Sequence, residues 1–548
     1  MKKLLSEVSW FLQQKLYIIA MSLTALCAYG FAITHYSIGI DDTAVSLYLE
    51  DGLEVVMGRW TVFLLNKLFH MSEFSPFMME LIGVLLFMLG ITLFCVLLRR
   101  ILGEAVDILG YTIFGCVFLS SPIISEVYIY YYHDGVDLGY ILTALSLLAF
   151  LEALDRRGKK KIGCFVGSML FIWAAVGCYE SFLLLYILGI IVILFLRGMV
   201  GRERLGFSCM VRNLGIGALL AVGSVVLRTI MIPLMTAVFG LQDVEGLLAQ
   251  RSLTEMFVLF RDREGLEKLV MLLKRFWMLY HVNAFAYLPI AVYEFAVFFI
   301  GGLSLLLAVK KKNLWYPVLY GGMLVTPVLL TIAEAKVTHY RSCQFLPFFA
   351  ALGVFLCYRA LAGLRKKTGC YVMAVFALIL VFNQSAMMNK SFYVDYQKYQ
   401  ITKDTLNQVA YEIEAKYGNE IPVVFTGHYD VPPQLLSDYY LDYTSWRYRA
   451  IAAISDLVDE NLKEKYFSYH GYCFVGEAQY PFIQWGLDAF DETNREMIAF
   501  LRMHGHSFTT ITDYETLTRI REMAADYPGW PAEGSVSLQD GYVLVNFD

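Results

Sequence analysis

Long apolar runs alternate with short polar segments over the first 388 residues of the chain. Eleven of these runs approach or reach the ~17–25 residues that a helix needs to span a bilayer. They cover residues 17–34, 77–98, 105–122, 137–153, 162–179, 181–197, 213–238, 284–308, 314–332, 343–358 and 370–387. The pattern therefore predicts a polytopic α-helical membrane protein with about 11 transmembrane helices.

The pattern changes after Met388, where polar and aromatic-rich segments with alternating helical and strand-like character begin. The segments are a helix over Asp395–Lys416, a strand over Ile421–Gly427, a helix over Asn494–His504 and a closing strand over Tyr542–Phe547. We therefore predict two domains, a transmembrane domain over residues 1–388 and a small α/β domain over residues 389–548.

Basic clusters predict the orientation, because loops on the cytoplasmic side of a membrane are rich in Lys and Arg. Such clusters precede the first predicted span and follow the second, fourth, sixth, eighth and tenth spans. All of them lie on one side if the N-terminus is cytoplasmic. An odd number of spans then places the C-terminal domain outside the cell, in a multi-pass protein of the plasma membrane.

Composition narrows the classes of function. The chain is 58% hydrophobic, against ~45–50% for a soluble domain. Its sequence has no GxGxxG, P-loop, zinc or CxxC signature, and nothing in it indicates a nucleic-acid partner. Chemistry on nucleotides is therefore not expected. The candidate functional residues are those of the polar loops on the predicted outer face.

The first outer loop, His35–Trp60, carries adjacent acids, Asp41 and Asp42, just beyond the first span. A carboxylate there can act as a general base on a hydroxyl at the membrane surface. The alternative is an acidic, solvated connection, since loops are commonly polar. Further along this loop, we expect Glu50, Asp51 and Glu54 to form a solvated helix face.

Arginines near the outer side are candidates for binding a phosphate, because the guanidinium fork matches phosphate oxygens. These are Arg59, Arg228 and Arg341. For Arg228 the alternative is a purely structural pairing with Glu294, since each is an ionisable residue inside a span. Nucleotide sugars are found in the cytoplasm, so an outer-face enzyme would draw its sugar from a polyprenyl phosphate.

Other candidate substrate-binding residues lie in the second and fifth outer loops. They are Tyr132, His133, Asp134 and His339. The tyrosines of the second loop suit either a sugar face or an interfacial aromatic belt. We expect both histidines to form hydrogen bonds rather than to bind metal. A divalent cation on the acid pair is possible, but one loop supplies too few ligands to argue for it, and no other cofactor is indicated.

Four segments together resemble a known family. They are SIGIDDTAV followed by GRW at Gly58–Trp60, the CYES turn at Cys178–Ser181, HYRSCQFLPFF from His339, and the ending DYPGWPAEGSVSLQDGYVLVNF. In order and spacing they are similar to the bacterial membrane glucosyltransferases of the Gtr type II kind, the O-antigen serotype-converting enzymes. The resemblance covers nearly the whole chain.

This resemblance implies a GT-C-type fold and a hexosyltransferase, of inverting type, in the bacterial inner membrane. It implies undecaprenyl-phosphate-linked glucose as donor and an envelope polysaccharide as acceptor. Asp41 and Asp42 match the catalytic acid pair, Arg59 the arginine of GRW, and Arg341 the late arginine. Glu180 matches the polar residue of the turn, where family members often carry Gln. A flippase for lipid-linked sugar and a glycan-binding protein are the alternatives from other functional classes.

Overall fold

The computed structural model describes residues 2–37, 52–69, 75–103, 106–128, 134–202, 206–241, 292–329, 342–364, 366–427 and 494–547. Helices α1 to α7 span Lys2–Leu12, Lys15–Thr34, Leu53–Val56, Trp60–Phe69, Pro76–Leu102, Ile108–Leu119 and Asp134–Asp155. Helices α8 to α14 span Gly158–Val176, Phe182–Met199, Phe207–Phe239, Val292–Lys311, Trp315–Val325, Phe345–Leu364 and Lys366–Tyr417.

The helices confirm a polytopic membrane protein. Within the described part of the chain, eight helices are long and apolar enough to cross a membrane. The predicted third, fifth and ninth spans also fall on helices, namely α6, α8 and α12. However, α6 and α12 have only 12 and 11 residues, and α8 carries three lysines in its first turn. The count of eleven spans therefore stays a prediction.

Two helices form the centre of the membrane part. Helix α9 is buried along nearly its whole length and packs against α5, α7, α8, α10 and α12. Helix α13 is buried in the same way and packs against α6, α11 and α14. Other helices expose apolar side chains instead, as α10 does with Leu219, Val222, Val226 and Ile230. Their spacing of three and four residues makes one outward apolar stripe, which is what contact with lipid requires.

Charged side chains join helices at the end that carries the basic clusters. Arg100 of α5 pairs with Glu7 of α1 at 2.6 Å, and Arg197 of α9 pairs with Asp155 of α7 at 2.8 Å. Arg99 lies over the ring of Trp10 at 3.6 Å. The arginines that predict the cytoplasmic side thus also hold α1 against the bundle.

The last membrane helix continues into the C-terminal part. Helix α14 has 52 residues and, at ~1.5 Å per residue, a length of about 78 Å, whereas the hydrocarbon core of a bilayer is ~30 Å thick. It runs through position 388 without a break, and the boundary predicted there stays untested. The helix predicted at Asp395–Lys416 is thus the last part of α14.

Beyond α14 the structure describes a three-stranded sheet with two helices. Strands β1 (Val423–Thr426), β2 (Val536–Leu538) and β3 (Val543–Asn546) form the order β1-β3-β2. β1 and β3 are parallel with Val423 opposite Val543, and β2 is antiparallel to β3. Helices α15 (Arg495–Met503) and α16 (Tyr514–Ala524) complete this part. Both predicted strands and the helix predicted at Asn494–His504 are found within their predicted limits.

Candidate active site

Three segments that are far apart in sequence meet around the turn between helices α8 and α9. They are the turn Gly52–Trp60 with α3, the turn Gly177–Ser181 between α8 and α9, and residues Ser342–Gln344 before α13. Each overlaps a motif that carries the family resemblance. We call this meeting point the motif cluster.

The first segment folds as a helix end closed by glycine. The Gly58 amide donates to the carbonyl of Val55 at 2.8 Å, and the Arg59 amide donates to that of Glu54 at 2.6 Å. This pair of bonds is a Schellman motif, which needs a left-handed residue after the helix. Gly58 provides it, with φ of +82°. The motif turns the chain so that α3 ends and α4 begins within four residues.

Arg228 of α10 reaches into this turn. Its Nη2 donates to the carbonyl of Met57 at 2.9 Å and to Oε1 of Glu180 at 2.6 Å. A Cβ at position 58 would lie 1.9 Å from Nη2, so only glycine leaves room for the guanidinium. A cation at the carbonyl end of a helix is electrostatically favourable, which supports the placement of Arg228 beyond α3.

The GRW segment also docks on the turn after α8. Arg59 lies over the ring of Tyr179 at 4.7 Å, a cation–π contact. The Trp60 ring lies 4.5 Å from that of Trp173, centroid to centroid. Thr61 donates to the carbonyls of Gly177 and Ala174. The segment Gly52–Trp60 and the CYES turn are therefore one packed unit.

The third segment closes the other side of the CYES turn. The Ser181 hydroxyl donates to Oε1 of Gln344, and the Tyr179 hydroxyl lies 3.4 Å from that of Ser342. Tyr140 of α7 donates to the carbonyl of Gln344 at 3.2 Å. These bonds bring the segment that directly follows Arg341 in sequence to the motif cluster.

The expectation that Glu54 is solvated is wrong. Its side chain is only 5% exposed, because the Schellman turn packs against α10 and the end of α8. Nδ2 of Asn66 in α4 donates to Oε1 of Glu54 at 3.1 Å. Burial raises the pKa of Glu54, while the hydrogen bond from Asn66 and the charge of Arg59 oppose that rise. Glu50 and Asp51 lie outside the described residues.

Several buried polar atoms without a hydrogen-bond partner in the described part of the chain lie in or beside the motif cluster. Glu54 Oε2, Arg59 Nε, Arg228 Nε and the indole nitrogens of Trp60 and Trp173 belong to this group. Such atoms are costly to leave unsatisfied, which makes them candidates for hydrogen bonds to a ligand or to water.

Among the predicted site residues, the structure brings Arg59, Glu180 and Arg228 together. Arg228 forms its ion pair with Glu180, so the alternative of a structural pairing with Glu294 is wrong. Asp134 is the first residue of α7, and its side chain is outside the description. The remaining predicted residues, Asp41, Asp42, Tyr132, His133, His339 and Arg341, lie outside the described residues.

Of the predicted second outer loop, the structure describes the residues up to Tyr128. This tyrosine is buried and donates to Oδ1 of Asp137 at 3.0 Å, so it packs the end of α7 and presents no open ring for a sugar. No group of three His, Cys, Asp or Glu side chains that could hold a metal ion occurs among the described residues. Since Asp41 and Asp42 are not among them, a divalent cation there stays a prediction.

Sequence reasoning missed Glu54 and Asn66 as members of the cluster. They are twelve residues apart and meet because the turn at Gly58 folds α3 back beside α4. The available signal was Gly52 and Gly58, two glycines that bracket a four-residue helix and have positive φ. Such a pair predicts a tight turn whose charged residues need not face solvent.

Comparison with known proteins was made against families, curated proteins and solved structures. A family model described as Glucosyl transferase GtrII matches residues 30–358, more than half of the chain. The match includes all three segments of the motif cluster and confirms the family predicted from the sequence over this range, while the C-terminal motif DYPGWPAEGSVSLQDGYVLVNF lies beyond it. The searches of curated proteins and of solved structures gave no match.

Proposed function

Because this chain belongs to the GtrII glucosyl transferase family, we propose that it transfers glucose from a polyprenyl phosphate, in particular undecaprenyl phosphate, to an envelope polysaccharide. The family implies glucosyltransferase activity, and the apolar helices show a membrane protein. The donor, the acceptor, the GT-C-type architecture and the site on the outer face of the bacterial inner membrane belong to our proposal.

The observation that carries the proposal is that two arginines, Arg59 and Arg228, both contact segments of the motif cluster. The Arg228 side chain is 13% exposed, and within the described part of the chain the buried Nε atoms of Arg228 and Arg59 both lack a hydrogen-bond partner. Two guanidinium groups with spare donors are suited to the phosphate of the donor. Glu180 holds Arg228 in place and is itself 36% exposed, so an incoming phosphate can replace it.

The reaction requires a base for the acceptor hydroxyl. Asp41 or Asp42 takes the hydroxyl proton, and the hydroxyl oxygen forms a bond to the anomeric carbon of glucose. The bond from that carbon to the phosphate oxygen breaks, and the lipid phosphate leaves with the electron pair. One displacement of this kind inverts the anomeric centre, and the arginines stabilise the charge on the leaving phosphate.

The other predicted residues complete the proposed site. Arg341 directly precedes Ser342, which lies 3.4 Å from the Tyr179 hydroxyl, so we place it among the phosphate-binding groups. We assign Tyr132, His133, Asp134 and His339 to the sugar and the acceptor.

Reconstitution in proteoliposomes tests this function. The purified protein should transfer labelled glucose from polyprenyl phosphate to an added envelope glycan, and mass spectrometry should detect one added hexose. A flippase would instead move the donor across the bilayer without any acceptor. Movement of donor with no transfer to any acceptor would rule out the enzyme and favour the transporter.

A further inference from the structure

The Glu54 carboxyl has one oxygen held by the protein and one that is not. Oε1 accepts from Asn66 at 3.1 Å, whereas Oε2 is buried with no partner in the described part of the chain. A carboxyl with a purely structural role is expected to have both oxygens satisfied, since an unmet buried oxygen costs stability. The free Oε2 therefore points to a ligand.

The charged groups around Glu54 indicate which chemical class of ligand Oε2 binds. Arg59 follows it in the same Schellman turn, and Arg228 binds the carbonyl of Met57 three residues further on. A phosphate would choose the guanidinium groups and be repelled by a carboxylate. A hydroxyl suits Glu54 in either protonation state, because a hydroxyl both donates and accepts hydrogen bonds.

We propose that Glu54 binds a hydroxyl of the donor sugar and selects the sugar that is transferred. This inference rests on the proposed function, because it places the sugar beside the arginines that hold the phosphate. Asn66 is then a positioning residue, since it holds Oε1 and turns Oε2 toward the ligand. A site built to bind one hydroxyl discriminates strongly against a sugar that lacks it.

A set of deoxy donors tests the pairing of Glu54 with a single hydroxyl. Methionine is similar in length to glutamate but apolar, so Glu54→Met removes the hydrogen bond while it fills the same space. With the natural donor it should lower kcat/KM roughly 10- to 100-fold, the value of one hydrogen bond to a charged group. With the one deoxy donor that lacks the partner hydroxyl, it should cause almost no further loss.

Two further variants separate this role from a general effect on the fold. Glu54→Gln keeps a hydrogen-bonding group of the same length and should retain more activity than Glu54→Met. Glu522→Gln, at an exposed glutamate of α16, is the matched control and should transfer sugar as the wild type does. Thermal unfolding and donor binding, measured for each variant, show whether a loss comes from the fold.

Two results would overturn the inference. One is Glu54→Met activity equal to wild type with every donor. The other is the same fold loss with every deoxy donor, since Glu54 would then act on something other than one hydroxyl. Failure of the proposed function looks different, because the wild type itself would not transfer sugar from the polyprenyl-phosphate donor.

Discussion

Arg228 donates both N–H groups of one nitrogen, Nη2, to two different parts of the molecule: 2.6 Å to Glu180 and 2.9 Å to the Met57 carbonyl. One side chain from α10 thereby joins the Gly52–Trp60 turn to the turn between α8 and α9. The ion pair is partly exposed on the Glu180 side, where exposed pairs contribute only about 1 kcal/mol or less. Glu180 therefore orients Arg228 without binding it tightly, which suits an arginine that must also bind a ligand.

The first prediction concerns Arg228→Lys. Lysine keeps the charge but has one nitrogen, which cannot bind Met57 and Glu180 and still present a second donor in a fixed direction. We expect kcat/KM for the donor to fall roughly 10- to 100-fold, the value of one charge-assisted bond. Arg212→Lys, at an exposed arginine of the same helix, is the control. If Arg228→Lys and Arg212→Lys have the same kcat/KM, Arg228 does not bind the donor.

Gly58→Ala tests why glycine precedes Arg59. An alanine with φ of +82° pays ~1–2 kcal/mol for the left-handed conformation, and its Cβ overlaps the Arg228 guanidinium. Gly201→Ala is the matched control, because Gly201 has φ of +77° with no described atom within 4 Å of the added Cβ. We expect both variants to unfold at lower temperature and only Gly58→Ala to lose transfer activity. Normal transfer by Gly58→Ala would show that the Arg228 position does not matter.

Much of the fold follows from residues close together in sequence. An apolar run such as residues 181–197 becomes the buried helix α9, because its length and composition leave no other stable place for it. The strands near Val423 and Val543 likewise follow from local β-branched and aromatic runs. Because these signals depend only on neighbouring residues, the sequence alone predicts the helix and the strands.

The composition of the site is less predictable, because it depends on distant contacts. Glu180 and Arg228 are 48 residues apart, and no local pattern distinguishes Glu180 from Glu294 as the partner. Glu54 has the polar neighbours of a solvated loop, and its burial is caused by packing of α10 and α8 on the turn. The family resemblance identified each motif by itself. Contact between the motifs depends on how the helices pack, which the sequence pattern does not show.

The buried carboxyl of Glu54 predicts a pH-dependent stability. Burial raises its pKa in the folded state, so the folded protein holds this proton more tightly than the unfolded chain. The stabilisation is complete below the unfolded pKa of ~4.3 and is lost as pH rises through the folded pKa. Glu54→Gln cannot ionise, so it should unfold at a higher temperature than wild type at pH 8 and at about the same temperature at pH 4. If the unfolding temperatures of Glu54→Gln and wild type differ by the same amount at pH 4 and at pH 8, this prediction is wrong.

The orientation in the membrane is open to a direct test. If the N-terminus is cytoplasmic and the number of spans is odd, helix α16 lies outside. Arg519→Cys places a thiol at an exposed position on this helix. An impermeant maleimide should label it in intact cells above the background of the wild-type chain, which has cysteines of its own. Labelling that appears only after lysis would reverse the proposed topology.

The last prediction concerns the acid pair itself. Asp41 and Asp42 follow α2 by only a short segment in sequence, and adjacent residues cannot generally point the same way. We therefore expect one acid to face the acceptor hydroxyl and the other to orient the loop. We favour Asp41 as the base, because it comes first and lies nearer to the helix end.

A base that only removes a proton contributes ~10²–10⁴-fold, so Asp41→Asn should lose at least a hundredfold in turnover while still binding the donor. Asp42→Asn should show a smaller loss, since orientation of the loop affects rate only indirectly. Turnover and donor binding are to be measured on the same reconstituted samples. If both variants keep near-normal transfer rates, neither acid is the base, and the acidic loop is only a solvated connection between α2 and α3.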